Sequence, residues 1–221
     1  SYIWLVGDKV NLEIKNIRVN QFVLGVDQYL SADALFRVEG FIKDYFDYPT
    51  SLRRTYLIMA NTGAGFAGSD ENFASFGLDP LNSDGTGLAK GFEVSLQKKL
   101  SETPYYGILS LTYSEANFIA LDKVDRIGSY DQTWIFNISG GYKITEEWEV
   151  ATKFRYSTGK PYTPYNSDGS QSVDQINTLR FPVNHSLDVR VDKRWFFTGW
   201  TLITYIDIQN IYNRKNITGI R

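Results

Sequence analysis

The chain has 221 residues, of which 43% are hydrophobic and 15% aromatic, a length that suits one large domain. Its formal net charge of −2 argues against a basic surface for nucleic acid, so we expect no nucleic-acid partner. The sequence contains no cysteine, which excludes disulfide scaffolds and thiolate metal sites and leaves the redox compartment open.

Neither a membrane helix nor a leader peptide is visible in the sequence. No apolar run approaches the roughly 18 residues that a membrane helix needs. The apolar letters YIWLV follow Ser1 directly, without a basic segment before them. We therefore expect a start that is mature, truncated or internal, and the loop-like NRKNITGI before Arg221 indicates an end that is also cut.

Two hairpins are predicted in the first half of the chain. The first comprises strands at residues 18–30 and 34–48, and we expect Pro49 to end it because proline lacks the ladder N–H. Residues 50–84, rich in Gly, Asn, Asp and Ser, are predicted to form a long loop with a short strand at 55–60. The second hairpin comprises strands at 87–100 and 105–118, followed by a loop at 119–132.

Two further hairpins follow, and all eight strands alternate apolar with polar residues. Their strands are predicted at 133–145 with 148–157 and at 185–197 with 200–212, separated by a long polar stretch at 158–184. Because side chains of a strand point to opposite sides with period two, each strand has one apolar and one polar face. The apolar positions are Phe22, Leu24, Val26, Leu30, Phe36, Val38, Ile42, Phe46, Phe92, Val94, Leu96, Leu109, Leu111, Tyr113, Trp134, Phe136, Ile138, Tyr142, Ile144, Trp148, Val150, Phe154, Tyr156, Leu187, Val189, Val191, Leu202, Ile206 and Ile208.

The lengths of the strands and of their connections predict an all-β, antiparallel transmembrane β-barrel. Soluble strands are typically about 5–6 residues long, whereas a strand that crosses a bilayer at a tilt needs about 9–11. Short turns at one end and long loops at the other are typical of outer-membrane barrels, the smallest of which have eight strands. Closure is expected, because in lipid only a closed barrel satisfies the backbone hydrogen bonds of every strand.

Aromatic residues are expected to mark two membrane interfaces, where Trp and Tyr are favoured. One set flanks the short turns, and the other lies near the long loops. The first set is Tyr105, Tyr106, Trp148, Trp195, Phe196 and Trp200, and the second is Tyr45, Tyr48, Trp134, Tyr156, Tyr162 and Tyr212.

The polar positions carry both signs of charge. In a barrel these residues would line the interior and pair across strands, whereas in a soluble β protein they would form the solvent-exposed face. Charge alone does not distinguish these two alternatives. They are Arg37, Glu39, Lys43, Glu93, Glu149, Lys153, Arg155, Asp188, Arg190, Asp192, Arg194 and Asp207.

No motif in the sequence predicts a catalytic, cofactor or metal site. His185 is the single histidine and has no cysteine or second histidine to complete a metal site, so we expect a polar residue at the rim. Asp79 begins a segment that fails the EF-hand pattern, and the Gly63–Gly68 string lacks a following helix to hold a phosphate. Ser139 lies inside a strand rather than in a G-x-S-x-G turn, so we expect no enzyme.

Three segments give the chain a family resemblance. KFRYSTGKPYTP at 153–164 is the most specific, followed by LDVRVDKR at 187–194 and DIQNIYNRKN at 207–216. They resemble the C-terminal part of the barrel of TonB-dependent outer-membrane receptors, and the likeness extends from Arg18 to the end. The resemblance implies a bacterial outer-membrane barrel of about 22 strands around a plug domain, with the TonB complex pulling on the plug.

The chain departs from the full family pattern, because it has no plug domain, no TonB-contacting segment and no closing aromatic strand. We therefore expect residues 1–221 to be part of one transmembrane β-barrel domain. The implied function is capture by extracellular loops and energised uptake of a scarce bulky solute, such as a ferric siderophore or an oligosaccharide, with a surface lipoprotein as a further partner. The alternatives are a stand-alone small barrel with a structural or passive-channel role, or a soluble β-barrel binding module.

Overall fold

The computed structural model describes residues 11–62, 76 and 78–217, which form one large antiparallel sheet, a separate two-stranded sheet and long loops at one end. Its strands are β1 (Arg18–Ser31), β2 (Ala34–Ser51), β3 (Leu81–Lys98), β4 (Tyr105–Ile119), β5 (Asp125–Ile127), β6 (Trp134–Lys143), β7 (Trp148–Ser157), β8 (Pro161–Tyr162), β9 (Leu179–Arg180), β10 (Asn184–Phe197) and β11 (Trp200–Ile208). Two single 3₁₀ turns lie at Met59–Asn61 and Val173–Gln175. No helix in the described ranges is long and apolar enough to cross a membrane.

Each long strand pairs with the strands next to it in the chain. The order across the sheet is β1-β2-β3-β4-β6-β7-β10-β11, with the short β5 beside β4, and β8 pairs separately with β9. Every pairing is antiparallel, so the eight long strands form four consecutive hairpins. The predicted all-β antiparallel architecture with eight long strands is therefore confirmed.

The register places the apolar positions of all eight strands on one face, which we call the apolar face, and the alternate positions form the polar face. One row runs Val26–Val38–Val94–Leu111–Phe136 across five strands. A row through Val150, Val191 and Ile206 continues the same face to the last strand. Because the period is two, this alignment requires that no strand slip by a single residue.

The apolar face has no protein packed over it within the described residues. Leu96 is 39% exposed and Ile138 41% exposed, although both lie on strands that are paired on both sides. The apolar side chains that are almost fully buried lie in or beside the loops, and they are Leu57, Ile58, Phe76, Leu81, Ala120 and Ile176. The sheet therefore lacks the apolar core that a soluble sandwich or a small soluble barrel builds between its strands.

Three predictions between the end of β2 and the start of β3 are wrong. The strand does not end at Pro49 but continues to Ser51, because bulges between Tyr45 and Thr50 take the proline out of the ladder. The predicted strand at 55–60 is instead a single bridge between Thr50 and Ile58, followed by the 3₁₀ turn. β3 begins at Leu81 rather than at residue 87, so part of the predicted loop is an extension of the β2–β3 hairpin.

The last strand is shorter than predicted. β11 ends at Ile208, and the chain then turns at Asn210, whose φ is 50°. The Asn210 backbone N–H donates to Asp188 Oδ1 at 2.9 Å, and the Asn210 side chain bonds the backbone of Arg214 in both directions. Apart from one backbone bond from Ile211 N–H to the Leu187 carbonyl at 2.8 Å, these side-chain bonds replace the ladder that residues 209–212 were predicted to continue.

The exposed apolar face predicts that a charge at its centre blocks insertion into a membrane. Ile138 lies midway along β6 on this face, and an Ile138→Arg substitution places a cation in lipid at a cost of about 2–4 kcal/mol. We expect a marked fall in the fraction that folds into vesicles, measured by the gel-mobility difference between folded and heated protein.

Ser139→Arg is the matched control, because it changes the next residue of the same strand on the polar face. Equal losses for the two variants would contradict the assignment of the apolar face to lipid.

Candidate functional site at the loop end of the sheet

The two ends of the sheet are built differently. At one, the turn end, the strands are joined by short connections at residues 32–33, 99–104, 144–147 and 198–199. At the other, the loop end, the connections are residues 52–80, 120–133 and 158–183. Loops held on a rigid scaffold are where binding residues concentrate, so the loop end is the candidate site.

Lysines set among exposed aromatic rings mark the turn end of the apolar face. Lys193 Nζ lies 4.8 Å from the ring centroid of Trp148 and 5.0 Å from that of Trp195, and it pairs with Glu147. Lys98 Nζ lies 5.4 Å from the ring of Tyr105. Long cationic side chains reaching past Trp and Tyr toward water are typical of a membrane interface.

A second boundary crosses the apolar face near the loop end. The rings of Phe92, Tyr113 and Trp134 pack in series, with centroids 5.5 and 4.8 Å apart. In the next row of the same face, Lys90 lies opposite Glu115, with Nζ 3.8 Å from Oε2. The face thus changes from apolar to charged within one row, as expected where strands leave lipid for water.

Four of the aromatic residues assigned to the interfaces lie elsewhere. Tyr106 and Phe196 fall on the polar face by register, and Tyr106 Oη donates to Glu149. Tyr45 and Tyr48 pack against Phe118, with centroids 6.1 and 5.3 Å away. Those four assignments are wrong because closeness to a strand end does not fix which face a side chain takes.

Three loops are joined by a buried polar contact at the loop end. Asn61 Oδ1 accepts from the backbone N–H of Ser129 at 3.0 Å and from its hydroxyl at 3.2 Å. Asn177 Nδ2 donates to Ser129 Oγ at 3.0 Å and to the Ile127 carbonyl at 2.8 Å. Asn177 is 1% exposed and has φ 59°, a left-handed conformation that asparagine tolerates.

An ion pair adds a second link between two of these loops. The Arg180 guanidinium pairs with Asp131 Oδ2 and donates to the carbonyls of Asp131 and Gly159 at 3.1 and 3.2 Å. Asp131 Oδ1 accepts from the Ala116 N–H of β4 at 3.2 Å. Asp131 is 7% exposed, so the carboxylate of the pair is shielded from solvent, and the pair anchors loop 158–183 to the sheet.

The first loop has its own small core. Leu57, Phe76 and Leu81 pack together, all at most 7% exposed. Beside them, the Asp79 carboxylate accepts from Arg54 Nε at 2.7 Å and from Ser51 Oγ at 2.6 Å. Together with the links above, this makes the loop end a cross-linked loop platform rather than a set of independent loops.

The residues considered for metals or phosphates do not form such sites where they are described. Asp79 is held by Arg54 and Ser51, and Asp84 accepts from Asn82 Nδ2 at 2.6 Å. Across residues 11–62, 76 and 78–217, no group of three His, Asp or Glu side chains is placed to hold a metal ion. The glycine string at 63–68 lies outside the described residues.

His185 lies at the loop end, at the start of β10. Its Nδ1 is 2.7 Å from Tyr212 Oη, and its ring packs against Phe154 with centroids 6.2 Å apart. Its backbone N–H donates to Asn216 Oδ1 at 3.1 Å. These contacts tie the segment after β11 to the sheet, which agrees with the predicted rim position.

Charges on the polar face pair between adjacent strands. Arg37 of β2 donates to both carboxylate oxygens of Asp27 of β1, at 2.7 and 2.6 Å. Arg155 of β7 lies 3.0 Å from Asp188 of β10. Arg194 of β10 pairs with Glu149 of β7 at 2.7 Å in the same way. Cross-strand pairs of this kind contribute roughly 0.2–1 kcal/mol each.

Two carboxylates in the connections have depressed pKa values. Burial raises the pKa of Asp122, but hydrogen bonds from the Arg126 guanidinium and the Val124 N–H outweigh it, so the pKa lies below its usual range. Hydrogen bonds from Lys98, Ser101 and Ser31 hold the pKa of Asp33 well below its usual range. Asp33 thereby joins the turns at 32–33 and 99–104.

Comparison with solved structures identifies the fold. No protein-family model matches the chain, and no curated protein sequence matches it. The ferric-catecholate import receptor Fiu of Escherichia coli K12 superposes with a TM-score of 0.63 at 14% identity, covering 93% of this chain and 25% of the receptor. The outer-membrane transporter YddB of Escherichia coli gives 0.62 at 11% identity, covering 92% of this chain and 30% of YddB.

A third similar structure is the FrpB iron transporter of Neisseria meningitidis, with a TM-score of 0.61 at 14% identity, covering 91% of this chain and 28% of FrpB. The chain thus spans between a quarter and a third of the length of these transporters. At such identities the likeness concerns the fold, which is that of part of an outer-membrane β-barrel. It confirms the fold expected from the resemblance seen in the sequence.

The link through Asn177 predicts how loop 158–183 responds to substitution. Asn177→Gly keeps the left-handed backbone available but removes the bonds to Ser129 and Ile127. We expect local opening of the loop to become easier by about 1–3 kcal/mol, read as faster amide exchange and proteolysis within it.

Ser167→Ala, at an exposed position of the same loop, is the control and should leave exchange unchanged. Unaltered exchange in the Asn177 variant would show that the platform does not hold the loop.

The Asp33 cluster predicts a dependence of stability on pH. Because the folded-state pKa lies below the unfolded value of about 3.9, the stabilisation is fully present above about pH 4 and is lost as pH falls through the folded pKa. Asp33→Asn should therefore be less stable than wild type at neutral pH, and the difference should shrink in acid.

Thermal unfolding in detergent at several pH values measures this difference. Glu102→Gln, an exposed neighbour in the same group of turns, is the control. A gap between wild type and Asp33→Asn that stays constant down to strongly acidic pH would contradict the assignment.

Proposed function

We propose that residues 1–221 are part of the barrel domain of a TonB-dependent receptor in the bacterial outer membrane, which captures a scarce bulky solute and takes part in its energised uptake. The observation that carries this proposal is a sheet whose apolar face is bounded by aromatic rows at both ends and which bears a cross-linked loop platform at one end only. A face of that kind requires lipid, and a platform of that kind suits binding from outside.

The sheet itself bears on the two alternatives. Within the described residues β1 pairs only with β2 and β11 only with β10, so the eight long strands do not close on themselves as a stand-alone small barrel does. A soluble binding module would need an apolar core between its sheet faces, and the nearly buried apolar residues lie instead in and beside the loops. Both observations favour a larger membrane barrel, which the resemblance of the sequence to TonB-dependent receptors implies to have about 22 strands.

The cross-linked loop platform supports capture of a solute. Asn61, Ser129 and Asn177 fix loops far apart in the chain, so exposed side chains between them are held in place before any solute arrives. Tyr130, for example, is 61% exposed but lies between Ser129 and Asp131, which are 4% and 7% exposed. Lys160 Nζ lies 5.3 Å from the centroid of the Tyr130 ring. Preorganised groups of this kind bind with a smaller entropic cost.

The implied partners are those of the family that the sequence resembles. They are a plug domain inside the barrel, the TonB complex, outer-membrane lipid, the solute, and a surface lipoprotein over the loops. The paired charges on the polar face suit contact with a polar plug. Two of the similar structures are named for ferric-catecholate import or iron transport, and the solutes proposed here are a ferric siderophore or an oligosaccharide.

The proposal is tested with the full-length protein that contains this chain, expressed in a Gram-negative host. We expect the protein in the outer-membrane fraction, and growth on a limiting ferric siderophore or oligosaccharide that requires both this protein and an intact TonB system. The matched control is the same host with TonB inactivated.

Growth that persists without TonB would favour the passive-channel alternative. Recovery of the protein in the soluble fraction would favour the soluble binding module. Either result would overturn the proposal of energised uptake.

A further inference from the structure

The polar face carries a cleft directly beneath the loop platform. It is formed by β6, β7 and β10 and has a volume of about 400 Å³. Two adjacent register rows build it: one is Asn137–Arg155–Ser186, and the next toward the loops is Ile135–Ser157–Asn184. Pockets that bind small ligands have volumes of roughly 300–1,000 Å³, so one ring of a larger solute fits here.

The cleft is electrically balanced. Among the residues that line it, Arg155 carries the only permanent charge. Its side chain is 49% exposed and its guanidinium lies 3.0 Å from Asp188 Oδ2 of β10, so the two side chains form a pair without net charge. Asp188 is itself fixed, because its Oδ1 accepts from the Asn210 N–H at 2.9 Å. An anionic ligand therefore meets no unpaired cation in this cleft.

The walls of the cleft are held by hydrogen bonds. Gln132 Nε2 donates to Ser157 Oγ at 3.1 Å and to the Thr158 carbonyl at 3.2 Å. Asn216 bonds both the N–H and the carbonyl of His185, at 3.1 and 3.2 Å. These bonds use side chains to fix the backbone at the two sides of the cleft, so its shape does not depend on a ligand.

Between these walls, three neutral polar groups have no partner of their own. The Asn137 and Ser186 side chains make no hydrogen bond to the described part of the chain, and Asn184 Oδ1 is buried without a donor. A side-chain amide and a serine hydroxyl can each donate and accept hydrogen bonds. A hydroxyl of a sugar can do the same, so the two kinds of group are complementary. The Asn137 and Ser186 side chains are only half-buried and line the cleft, so they are accessible to the hydroxyl groups of a ligand.

We propose that this cleft binds a neutral, polyhydroxylated ring, a sugar unit of an oligosaccharide, through Asn137, Asn184 and Ser186. The Ile135 side chain supplies an apolar surface for the C–H side of the ring. The inference rests on the proposed function and selects the oligosaccharide over the ferric siderophore, because ferric catecholate complexes are anionic and the cleft offers them no free cation.

Titration calorimetry of the full-length protein in detergent tests the inference. The probes are the neutral hexasaccharides maltohexaose, xylohexaose and mannohexaose, with a ferric tris-catecholate complex as the anionic comparison. We expect at least one hexasaccharide to bind with an affinity that does not change with salt, since no net charge is paired. Asn137→Ala and Ser186→Ala should each weaken that binding about 5- to 50-fold.

Ser139→Ala is the matched control, because Ser139 lies on the same face of β6 but outside the cleft, and it should leave affinity unchanged. The inference is overturned if none of the three hexasaccharides binds, or if both cleft variants bind as wild type does. It is also overturned if only the ferric complex binds. Growth on that complex that still requires TonB would then leave the proposed function intact.

Discussion

The structure depends on side-chain register across eight antiparallel strands. Each strand alternates apolar and polar residues, and pairing without slippage keeps all the apolar positions on one face. The register shifts in the main sheet lie at its ends, between Tyr29 and Ser31 and between Tyr45 and Thr50, outside the central rows. A shift of one residue in any central row would turn lipid-facing side chains inward and bring charges to lipid.

Two environments explain why different parts of the chain are held together differently. The sheet gains little from apolar burial among its own residues, because Leu96 and Ile138 remain exposed on its inner strands and their burial requires lipid. Beyond the charged row of Lys90 and Glu115 the chain is surrounded by water, and there a small core around Phe76 forms as in any soluble protein. The hydrophobic effect operates in both regions. In the loops, apolar side chains are buried against other protein side chains, whereas on the sheet their burial requires lipid.

The cross-linked loops and the cleft beneath them form one continuous structure. Arg180 joins loop 158–183 to Asp131, and Gln132, the next residue, forms a wall of the cleft. A solute bound as proposed would therefore contact residues that are bonded to the loops above it.

The sequence by itself determined the strands and the faces to which their side chains point. Strand 148–157 has the predicted bounds, and the row from Val26 to Phe136 consists of residues already assigned to the apolar face. Alternation is a local property, and apolar residues at every second position are read from neighbours in the chain. The resemblance of segment 153–164 to outer-membrane receptors also lies in consecutive residues, and the superposed structures agree with it at the level of fold.

Only the tertiary structure decided what the loops do. Asn61 and Ser129 are 68 residues apart, and Ser129 and Asn177 are 48 apart, yet they share one buried contact. The sequence could not reveal it, because asparagine and serine are also the ordinary residues of a loop in water. The inward positions of Tyr45 and Tyr106 do follow from the alternation of their own strands. The run of β2 through Pro49 was hidden, because the bulges that permit it depend on which distant segment lies alongside, and that is fixed only when the chain has folded.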